Sequence, residues 1–386
     1  MRIAYFTESL PPLTDGVART YTRLAETLNR RKIDFLFFAP ILPKEEEPWR
    51  GRVVSVPWVP FPLYRYYRVG LPNPFRLTPI LDKFRPDLIQ VAAPTPMGIF
   101  GQNYAFKNNI PLVSSYHTHF VDYFPYYHVK WAIKWGWDYM RWFYNRTQAT
   151  FGPSHDTLSE LRKRGFKNLE LWPRGIDRTK FSPRLRNEAL RKKLGLGREK
   201  LLLFVGRMVQ EKGLDELSQA ALALRKQGYK FHLAFAGDGP YRKVMEERLP
   251  QDHYFGFIQG RELSELYASS DLFVFPSTTE TFGNVVLEAM ASGLPVVGAA
   301  QGGSLDLVKP GENGCLAKPL DGMDFARQVK SLLDNPRAMK KMAQRALRTA
   351  DSYHWPVING MLLNHCRSLM EKPQPQAALA KNLQPA

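Results

Sequence analysis

The stretch LFVFPSTTETFGNVVLEAMASGLPVVGA, residues 272–299, decides the fold. It opens and closes with short apolar runs of the kind that form buried parallel strands. Between them a loop leads into a helix, which we expect to begin near Asn284 and to end at Gly293, with Pro295 just beyond it. Strand, helix and strand in this order predict one unit of a parallel α/β sheet.

The same alternation fills the rest of the chain in two separate runs. Further apolar strands are expected at 2–6, 34–40, 87–93, 111–117, 201–207 and 231–237, with helices at 20–31 and 214–228. Strands alternating with helices in two runs predict two Rossmann-like, doubly wound parallel-sheet domains. The predicted boundaries are 1–175, 176–351, a helix at about 352–370 that crosses back to the first domain, and a disordered tail at 372–386.

The composition is that of a globular protein without a disulfide framework or a membrane-spanning segment. The chain of 386 residues is 44% hydrophobic, enough for two buried sheets, and its two cysteines exclude a disulfide framework. No signal peptide or long apolar segment is visible, which predicts a cytoplasmic protein, either free or peripheral on the inner face of a membrane. About two thirds of the net charge of +18 lies in residues 1–190. This excess of positive charge favours an anionic partner, which could be nucleic acid, an acidic membrane or a phosphorylated substrate.

The loop before the 284–293 helix is the strongest candidate site. Backbone N–H groups of Phe282, Gly283 and Asn284 would point out of the helix N-terminus, which suits a phosphate or a sugar oxygen. Glu280 lies in the loop and Glu288 in the helix, so the two carboxylates can meet different parts of one ligand. The alternative is that Glu280 caps the helix and Glu288 is a solvated helix position.

A second candidate is FVGRMVQEKG, residues 204–213, where a strand ends at Gly206. Arg207 and Lys212 follow at the first strand-to-helix turn of the second domain. Two cations at such a turn suit a diphosphate group.

Two weaker candidates lie in the first domain. His117 and His119 follow a strand and face one way, so they could bind a metal together, although His117 alone bonding to substrate is the better interpretation. Gly16 follows the first strand, where a tight turn would let a ligand approach. The loop is not a GxGxxG fingerprint, so a dinucleotide cofactor has no support here.

These residues together resemble the family 4 retaining glycosyltransferases of the GT-B fold. The resemblance covers residues 2 to about 370 and rests on the Glu280-to-Glu288 motif, Arg207 with Lys212, the Gly16 loop, AGDGPY at 236–241 and RGIDRTKFSP at 174–183. YHTHFVDYFPYY, residues 116–127, and ETFGNVVLEAM, residues 280–290, are most similar to GDP-mannose-dependent α-mannosyltransferases and sulfoquinovosyl-diacylglycerol synthases.

The resemblance implies a role for each position. Two domains would face each other across a cleft, the first binding the acceptor and the second the nucleotide-sugar. Glu288 would bond to the donor ribose, Glu280 to the donor sugar, and Arg207 and Lys212 to the diphosphate. The remaining donor contacts would be His117 at the sugar, Gly16 at the phosphates, and Gly256 and Phe257 at the base. No metal or other cofactor is expected. The favoured donor is GDP-mannose, with UDP-glucose and UDP-sulfoquinovose as alternatives.

Residues 126–146 and 58–76 are dense in aromatic and basic side chains. On a helix, Trp131, Trp135, Tyr139 and Trp142 form one stripe. The cations beside this stripe are Lys130, Lys134 and Arg141. This pattern is typical of an interfacial helix that meets anionic lipid headgroups, and it predicts a lipid or glycolipid acceptor. A core helix with charged edges and a soluble oligosaccharide acceptor are the alternatives.

Three other classes remain as rivals. A nucleic-acid-binding protein would explain the charge but leaves the Glu280-to-Glu288 motif without a purpose, so no nucleic-acid partner is expected. An NAD-dependent oxidoreductase lacks its glycine fingerprint. A scaffold at the membrane without catalysis would not need Arg207, Lys212, Glu280 and Glu288 together.

Overall fold

The computed structural model describes residues 1–13, 15–61, 64–117 and 130–371, with the backbone alone described at 64–66 and 130. The chain divides into two units. The first contains Met1–Pro173 and the segment that begins at Ile358, and the second contains Arg174–Val357. The predicted tail at 372–386 lies outside the described residues, as does His119.

The first unit has a seven-stranded sheet and a separate antiparallel hairpin. In chain order its strands are β1 (Arg2–Phe6), β2 (Asp34–Ala39), β3 (Val53–Ser55), β4 (Trp58–Phe61), β5 (Tyr64–Gly70), β6 (Leu88–Val91), β7 (Leu112–Ser115), β8 (Ala149–Gly152) and β9 (Leu169–Leu171). The sheet order is β3-β2-β1-β6-β7-β8-β9, every neighbouring pair is parallel, and β4 pairs with β5. Apolar side chains of β1, β6, β7 and β8 are buried, because helices cover a parallel sheet on both faces.

Among the described residues, six α-helices belong wholly or mainly to this unit. They are α1 (Gly16–Arg30), α2 (Pro74–Phe84), α3 (Pro96–Lys107), α4 (Ile133–Asn145), α5 (His155–Lys163) and the last helix of the chain, Trp355–Glu371. The prediction that α1 starts at residue 20 was wrong by four residues. The Asp15 side chain accepts hydrogen bonds from the N–H groups of Val17 and Ala18, and this cap begins the helix at Gly16.

The second unit has a six-stranded parallel sheet. Its strands are β10 (Lys200–Val205), β11 (Phe231–Ala236), β12 (His253–Gly256), β13 (Leu272–Phe275), β14 (Val296–Ala299) and β15 (Gly314–Ala317). Their order is β12-β11-β10-β13-β14-β15. The helices are α6 (Glu188–Lys193), α7 (Leu214–Lys226), α8 (Arg242–Arg248), α9 (Gly260–Ser269), α10 (Asn284–Ala291), α11 (Ser304–Leu307), α12 (Gly322–Leu333) and α13 (Pro336–Ser352). The last helix of the chain is therefore α14.

Each sheet reverses its strand order once, between β1 and β6 in the first unit and between β10 and β13 in the second. In open parallel sheets, ligands bind beyond the carboxyl ends of the two strands at such a reversal, because the loops there diverge and leave a crevice. The prediction of two doubly wound parallel-sheet domains is confirmed. No helix in the described ranges is both long and apolar enough to cross a membrane.

Candidate active site

The loop after β13 leads directly into α10, as the sequence predicts. Gly283 adopts a left-handed conformation with φ of 85° immediately before the helix, and no side chain caps the helix within the described part of the chain. The N-terminus of α10 is thus built for an outside acceptor of hydrogen bonds. Phe282 is buried beneath it, with its ring centroid 5.8 Å from that of Tyr353.

A second glycine loop, which the sequence analysis missed, holds this segment in place. Gly302 and Gly303 follow β14, and the N–H of Gly303 donates to the carbonyl oxygen of Glu280 at 2.7 Å. A Cβ atom at position 303 would lie 2.1 Å from the carbonyl carbon of Phe282. Only glycine allows this approach, so paired glycines directly after a strand were the available signal.

The two acidic side chains of the motif differ in environment. Glu288 is buried on α10, and its Oε2 accepts a hydrogen bond from the Tyr267 hydroxyl at 3.1 Å. Glu280 remains partly accessible and does not cap the helix, since the N-cap residue is Gly283. The alternative of a capping Glu280 and a solvated Glu288 was therefore wrong.

Lys212 joins the second predicted motif to the first. It ends a short 3-10 helix, Gln210–Lys212, which lies after β10, and its side chain is buried. The Nζ atom lies 2.5 Å from Glu280 Oε1 and 3.3 Å from the Thr279 hydroxyl. The pair therefore spans the reversal between β10 and β13. The ion pair places a cation directly beside a partly accessible carboxylate, a combination that suits a ligand with an anionic group next to a polyol.

Arg207 lies in the same β10 loop but points outward. Its side chain is 66% exposed, and its guanidinium is 3.9 Å from Glu211. The loop backbone is anchored by hydrogen bonds to the end of β11 and to the loop after it, from Gly206 N–H to Ala236 O at 3.0 Å and from Met208 N–H to Asp238 O at 2.9 Å. An exposed guanidinium on an anchored loop can reach a bound anion without backbone movement.

Gly256 is the last residue of β12 and Phe257 follows it, farther along the same edge of the sheet. The carbonyl oxygen of Gly256 accepts a hydrogen bond from Gly237 N–H at 2.8 Å, which ties this loop to the one after β11. The Phe257 side chain is 73% exposed. An exposed aromatic ring at a ligand-binding edge is suited to stacking on a planar base. That role stays a prediction.

In the first unit, His117 follows β7 and is half-buried. Its Nε2 lies 3.3 Å from the Tyr21 hydroxyl, and its ring makes an edge contact with Trp172. The tight turn predicted at Gly16 was wrong, because Gly16 is the first residue of α1, where the Asp15 carboxylate accepts hydrogen bonds from the N–H groups of Val17 and Ala18. Contact of either residue with a donor stays a prediction.

The helix α4 is amphipathic, and its aromatic residues divide between two faces. Trp137, Met140, Phe143 and Tyr144 are buried. The predicted stripe begins at Trp131, in the 3-10 helix Lys130–Ala132 that precedes α4, and continues along α4. It faces outward: Trp131 is 79% and Trp135 76% exposed, and Tyr139 and Trp142 are also exposed. The alternative in which this stripe belongs to the core was therefore wrong.

Two of the three predicted cations, Lys134 and Arg141, lie on α4. The Lys134 side chain is exposed, and Arg141 makes a 2.6 Å ion pair with Asp138. The side chain of Lys130 lies outside what the structure describes.

The structure also bears on the possibility of a metal site. In the described ranges, no three or more His, Cys, Asp and Glu side chains form a group that could hold a metal ion.

Comparisons with known proteins place these features in a family. The model of Glycosyltransferase Family 4 matches residues 14–180, and that of Glycosyl transferases group 1 matches residues 186–349. A GDP-mannose-dependent alpha-mannosyltransferase of Corynebacterium glutamicum is 34% identical over 95% of this chain and 88% of its own length. The sulfoquinovosyl transferase SQD2 of Arabidopsis thaliana is 32% identical over 92% of this chain and 71% of its own length.

Two further comparisons concern a shorter match and a solved structure. The alpha-monoglucosyldiacylglycerol synthase of Streptococcus pneumoniae is 30% identical over 77% of this chain and 70% of its own length. The crystal structure of Anabaena Alr3699/HepE in complex with UDP has a TM-score of 0.76 at 20% identity, covering 95% of this chain and all of that one. The latter likeness shows a shared fold. The resemblance inferred from the sequence is confirmed: the protein belongs to the family 4 glycosyltransferases and has their GT-B fold.

Proposed function

We propose that this enzyme transfers a hexose from a nucleotide-sugar to an acceptor hydroxyl, with retention of anomeric configuration. The observation that carries the proposal is the ion pair of Lys212 and Glu280, which spans the reversal of the second sheet beside the uncapped N-terminus of α10. The site offers positive charge, hydrogen-bond donors and a carboxylate beyond the carboxyl ends of two neighbouring strands. A nucleoside diphosphate linked to a sugar has the matching parts: an anion followed by a polyol.

Each part of the donor has a partner among the described residues. The buried Glu288 carboxylate, held by Tyr267, would accept hydrogen bonds from the ribose hydroxyls. The N-terminus of α10, Arg207 and Lys212 would bind the diphosphate, and Glu280 would accept hydrogen bonds from hydroxyls of the donor sugar. A carboxylate that binds sugar hydroxyls while paired to the phosphate-binding lysine couples recognition of the sugar to recognition of its leaving group.

In the proposed reaction, the bond between the anomeric carbon and the diphosphate oxygen breaks, and a bond to the acceptor oxygen forms on the same face. The proton of the acceptor hydroxyl passes to the departing phosphate oxygen. Negative charge grows on the diphosphate as the sugar becomes oxocarbenium-like, so fixed cations stabilise the transition state more than the ground state. We propose that Arg207 and Lys212 supply that charge without a metal ion.

We favour GDP-mannose as the donor, with UDP-glucose and UDP-sulfoquinovose as alternatives. The support for GDP-mannose is the relative named for its dependence on that donor, which is matched over nearly the whole of this chain. Support for the other donors comes from the matches to a sulfoquinovosyl transferase and to a glucosyldiacylglycerol synthase.

A donor panel tests the proposal. We expect one nucleotide class, GDP or UDP, to raise the melting temperature of the protein, and the matching sugar nucleotide to be hydrolysed slowly in the absence of acceptor, equally with and without EDTA. Glu288→Gln should weaken binding of the nucleoside diphosphate roughly 10- to 100-fold, since one charged hydrogen-bond acceptor for the ribose is lost. Glu247→Gln, at an exposed position on α8 of the same unit, is the control. If no sugar nucleotide binds, the proposal is wrong.

We propose further that the acceptor hydroxyl belongs to a membrane lipid or glycolipid, and that the first unit contacts the membrane. The exposed stripe of α4 supports this, together with the β4–β5 hairpin, where Trp58, Val59 and Phe61 are exposed. The guanidinium of Arg68 lies 4.5 Å from the centre of the Trp58 ring, so a cation accompanies the aromatic surface there as well. Tryptophan beside basic residues favours the headgroup region of an anionic bilayer.

Vesicle binding tests the membrane contact. We expect the protein to cosediment with vesicles containing phosphatidylglycerol, and to do so less as salt is raised. The double variant Trp131→Ser/Trp135→Ser should weaken binding roughly 30- to 100-fold, because two exposed indoles no longer enter the interface. The matched control is Leu222→Ser, an exposed apolar residue on α7. Equal binding by the double variant and the control would contradict the assignment of α4.

A further inference from the structure

The reversal of the first sheet contains a polar pair to which the proposed chemistry gives no role. Glu8 lies two residues beyond β1, and Thr95 lies four residues beyond β6, the neighbouring strand at the reversal. The Thr95 hydroxyl donates a hydrogen bond to Glu8 Oε1. Thr95 is also the N-cap of α3, where its Oγ1 accepts from Gly98 N–H at 3.3 Å. The pair thus occupies the same topological position in the first unit as Lys212 and Glu280 do in the second.

Glu8 is 3% exposed, and burial raises its pKa to about 7, with the hydrogen bond from Thr95 opposing the rise. Tyr67 on β5 and Tyr144 on α4 interact with Glu8 electrostatically, and Asp15 and Tyr21 interact with Tyr67. Burial raises the pKa of both Tyr67 and Tyr144, so these phenols remain neutral beside the carboxyl. A buried carboxylate with neutral partners costs stability, and such groups cluster at ligand sites rather than in structural cores.

The surroundings of the pair indicate what kind of ligand it meets. The Tyr139 hydroxyl on α4 donates to the carbonyl oxygen of Pro94 at 2.8 Å, directly beside Thr95. On the other side, Met97 packs so closely on Gly70, the last residue of β5, that a Cβ there would lie 2.5 Å from the Met97 Cγ. Two elements with exposed aromatic side chains, α4 and the β4–β5 hairpin, therefore contact the segment 94–97.

We propose that Glu8 and Thr95 form the acceptor subsite, in which the Glu8 carboxylate accepts a hydrogen bond from a hydroxyl of a lipid-borne polyol. The inference rests on the proposed function and names the residues of the first unit that recognise its acceptor. A phosphate would be repelled by the Glu8 carboxylate, whereas a hydroxyl donates to it. The flanking aromatic elements would contact the membrane that carries the same lipid.

A site that binds a hydroxyl through a buried carboxylate discriminates strongly against acceptors that lack it. The ionised carboxylate of Glu8 accepts a hydrogen bond better than the protonated carboxyl group does. Affinity for the acceptor substrate should therefore increase as the pH is raised through the pKa of Glu8. Binding of the donor substrate does not involve Glu8, so its affinity should not change with pH in this way.

The test uses the full chain with dioleoylglycerol or a monoglucosyl diacylglycerol in phosphatidylglycerol vesicles, with the sugar nucleotide selected by the donor panel. Glu8→Met, similar in size but unable to accept such a bond, should lower kcat/KM for the acceptor roughly 10- to 100-fold. The KM for the donor and the rate of donor hydrolysis by water should stay unchanged. In Glu8→Gln, which keeps an amide oxygen, KM for the acceptor should be intermediate and should lose its dependence on pH between about 6 and 8.

Glu160→Gln, at a surface ion pair on α5, is the matched control. An unchanged KM for the acceptor in both Glu8 variants would overturn the proposal, as would equal losses in transfer and in donor hydrolysis, which would show a merely structural role. Failure of the wild-type protein to hydrolyse or bind any sugar nucleotide is a different result, since it would refute the proposed function itself.

Discussion

Lys212→Met is expected to lower kcat for sugar transfer about 100- to 1,000-fold, the loss typical when one fixed charge or donor that stabilises a developing anion is removed. Lys212 is buried and held by Glu280, so its ammonium is positioned before the donor arrives and needs no reorganisation as the diphosphate departs. Methionine retains the length and apolar character of the lysine stem. Transfer rates at saturating donor and acceptor measure the effect.

The same strand supplies a matched control. Lys200 is the first residue of β10, at the opposite end of the strand, where its Nζ lies 3.4 Å from Asp271. Like Lys212→Met, Lys200→Met removes a lysine from an ion pair with a carboxylate, but it should leave kcat unchanged. The double variant Lys212→Met/Glu280→Gln distinguishes two roles of Lys212, holding Glu280 in place and contacting the donor. If Lys212→Met costs little in the Glu280→Gln background, the lysine acts by holding Glu280 and not by binding the diphosphate.

Glu8 is expected to make stability fall as the pH rises. The folded state binds the Glu8 proton more tightly than the unfolded chain, because burial raises the pKa from 4.5 to about 7. The contribution of Glu8 to the free energy of unfolding is therefore fully present below about pH 4.5, decreases between about pH 4.5 and 7, and is lost above that range. The total is about 3 kcal/mol, from about 1.4 kcal/mol for each pH unit of the shift.

Glu8→Gln cannot lose a proton, so this part of the pH dependence should disappear. Urea unfolding at about pH 5 and about pH 8 measures the difference, and comparing slopes with pH cancels the fixed cost of placing an amide in the site. Glu160→Gln should retain the wild-type dependence. An identical decline for wild-type protein and Glu8→Gln would show that Glu8 is not a buried carboxyl with a raised pKa.

Local signals were sufficient to predict the architecture. Apolar runs of four to six residues identify β1, β2, β6, β7, β10, β11, β13 and β14, and Gly283 and Gly293 limit α10. The shorter strands β3, β8, β9, β12 and β15 were not predicted. The start of α1 was placed too late, since a loop rich in proline and glycine concealed the cap by Asp15. The sequence did not decide whether the α4 stripe is exposed. The helical periodicity separates two faces of α4 but does not show which of them packs against the core.

The pairings within the site could not be predicted, because they join segments far apart in the chain. Lys212 and Glu280 meet only because β13 is hydrogen-bonded beside β10, and Glu8 meets Thr95 only because β6 lies beside β1. Gly303 binds the Glu280 carbonyl for the same reason, from the loop after β14. Strand order is a property of the whole sheet, so a sequence motif can identify such residues without showing their partners.

The measurement that tests the central claim most directly is the anomeric configuration of the first product formed, followed by proton NMR with the α-linked sugar nucleotide that the donor panel selects. The account predicts transfer to an acceptor hydroxyl with an α-linked product, since the acceptor attacks the face from which the diphosphate departs. A β-linked product, or hydrolysis alone in the presence of every acceptor, would contradict it.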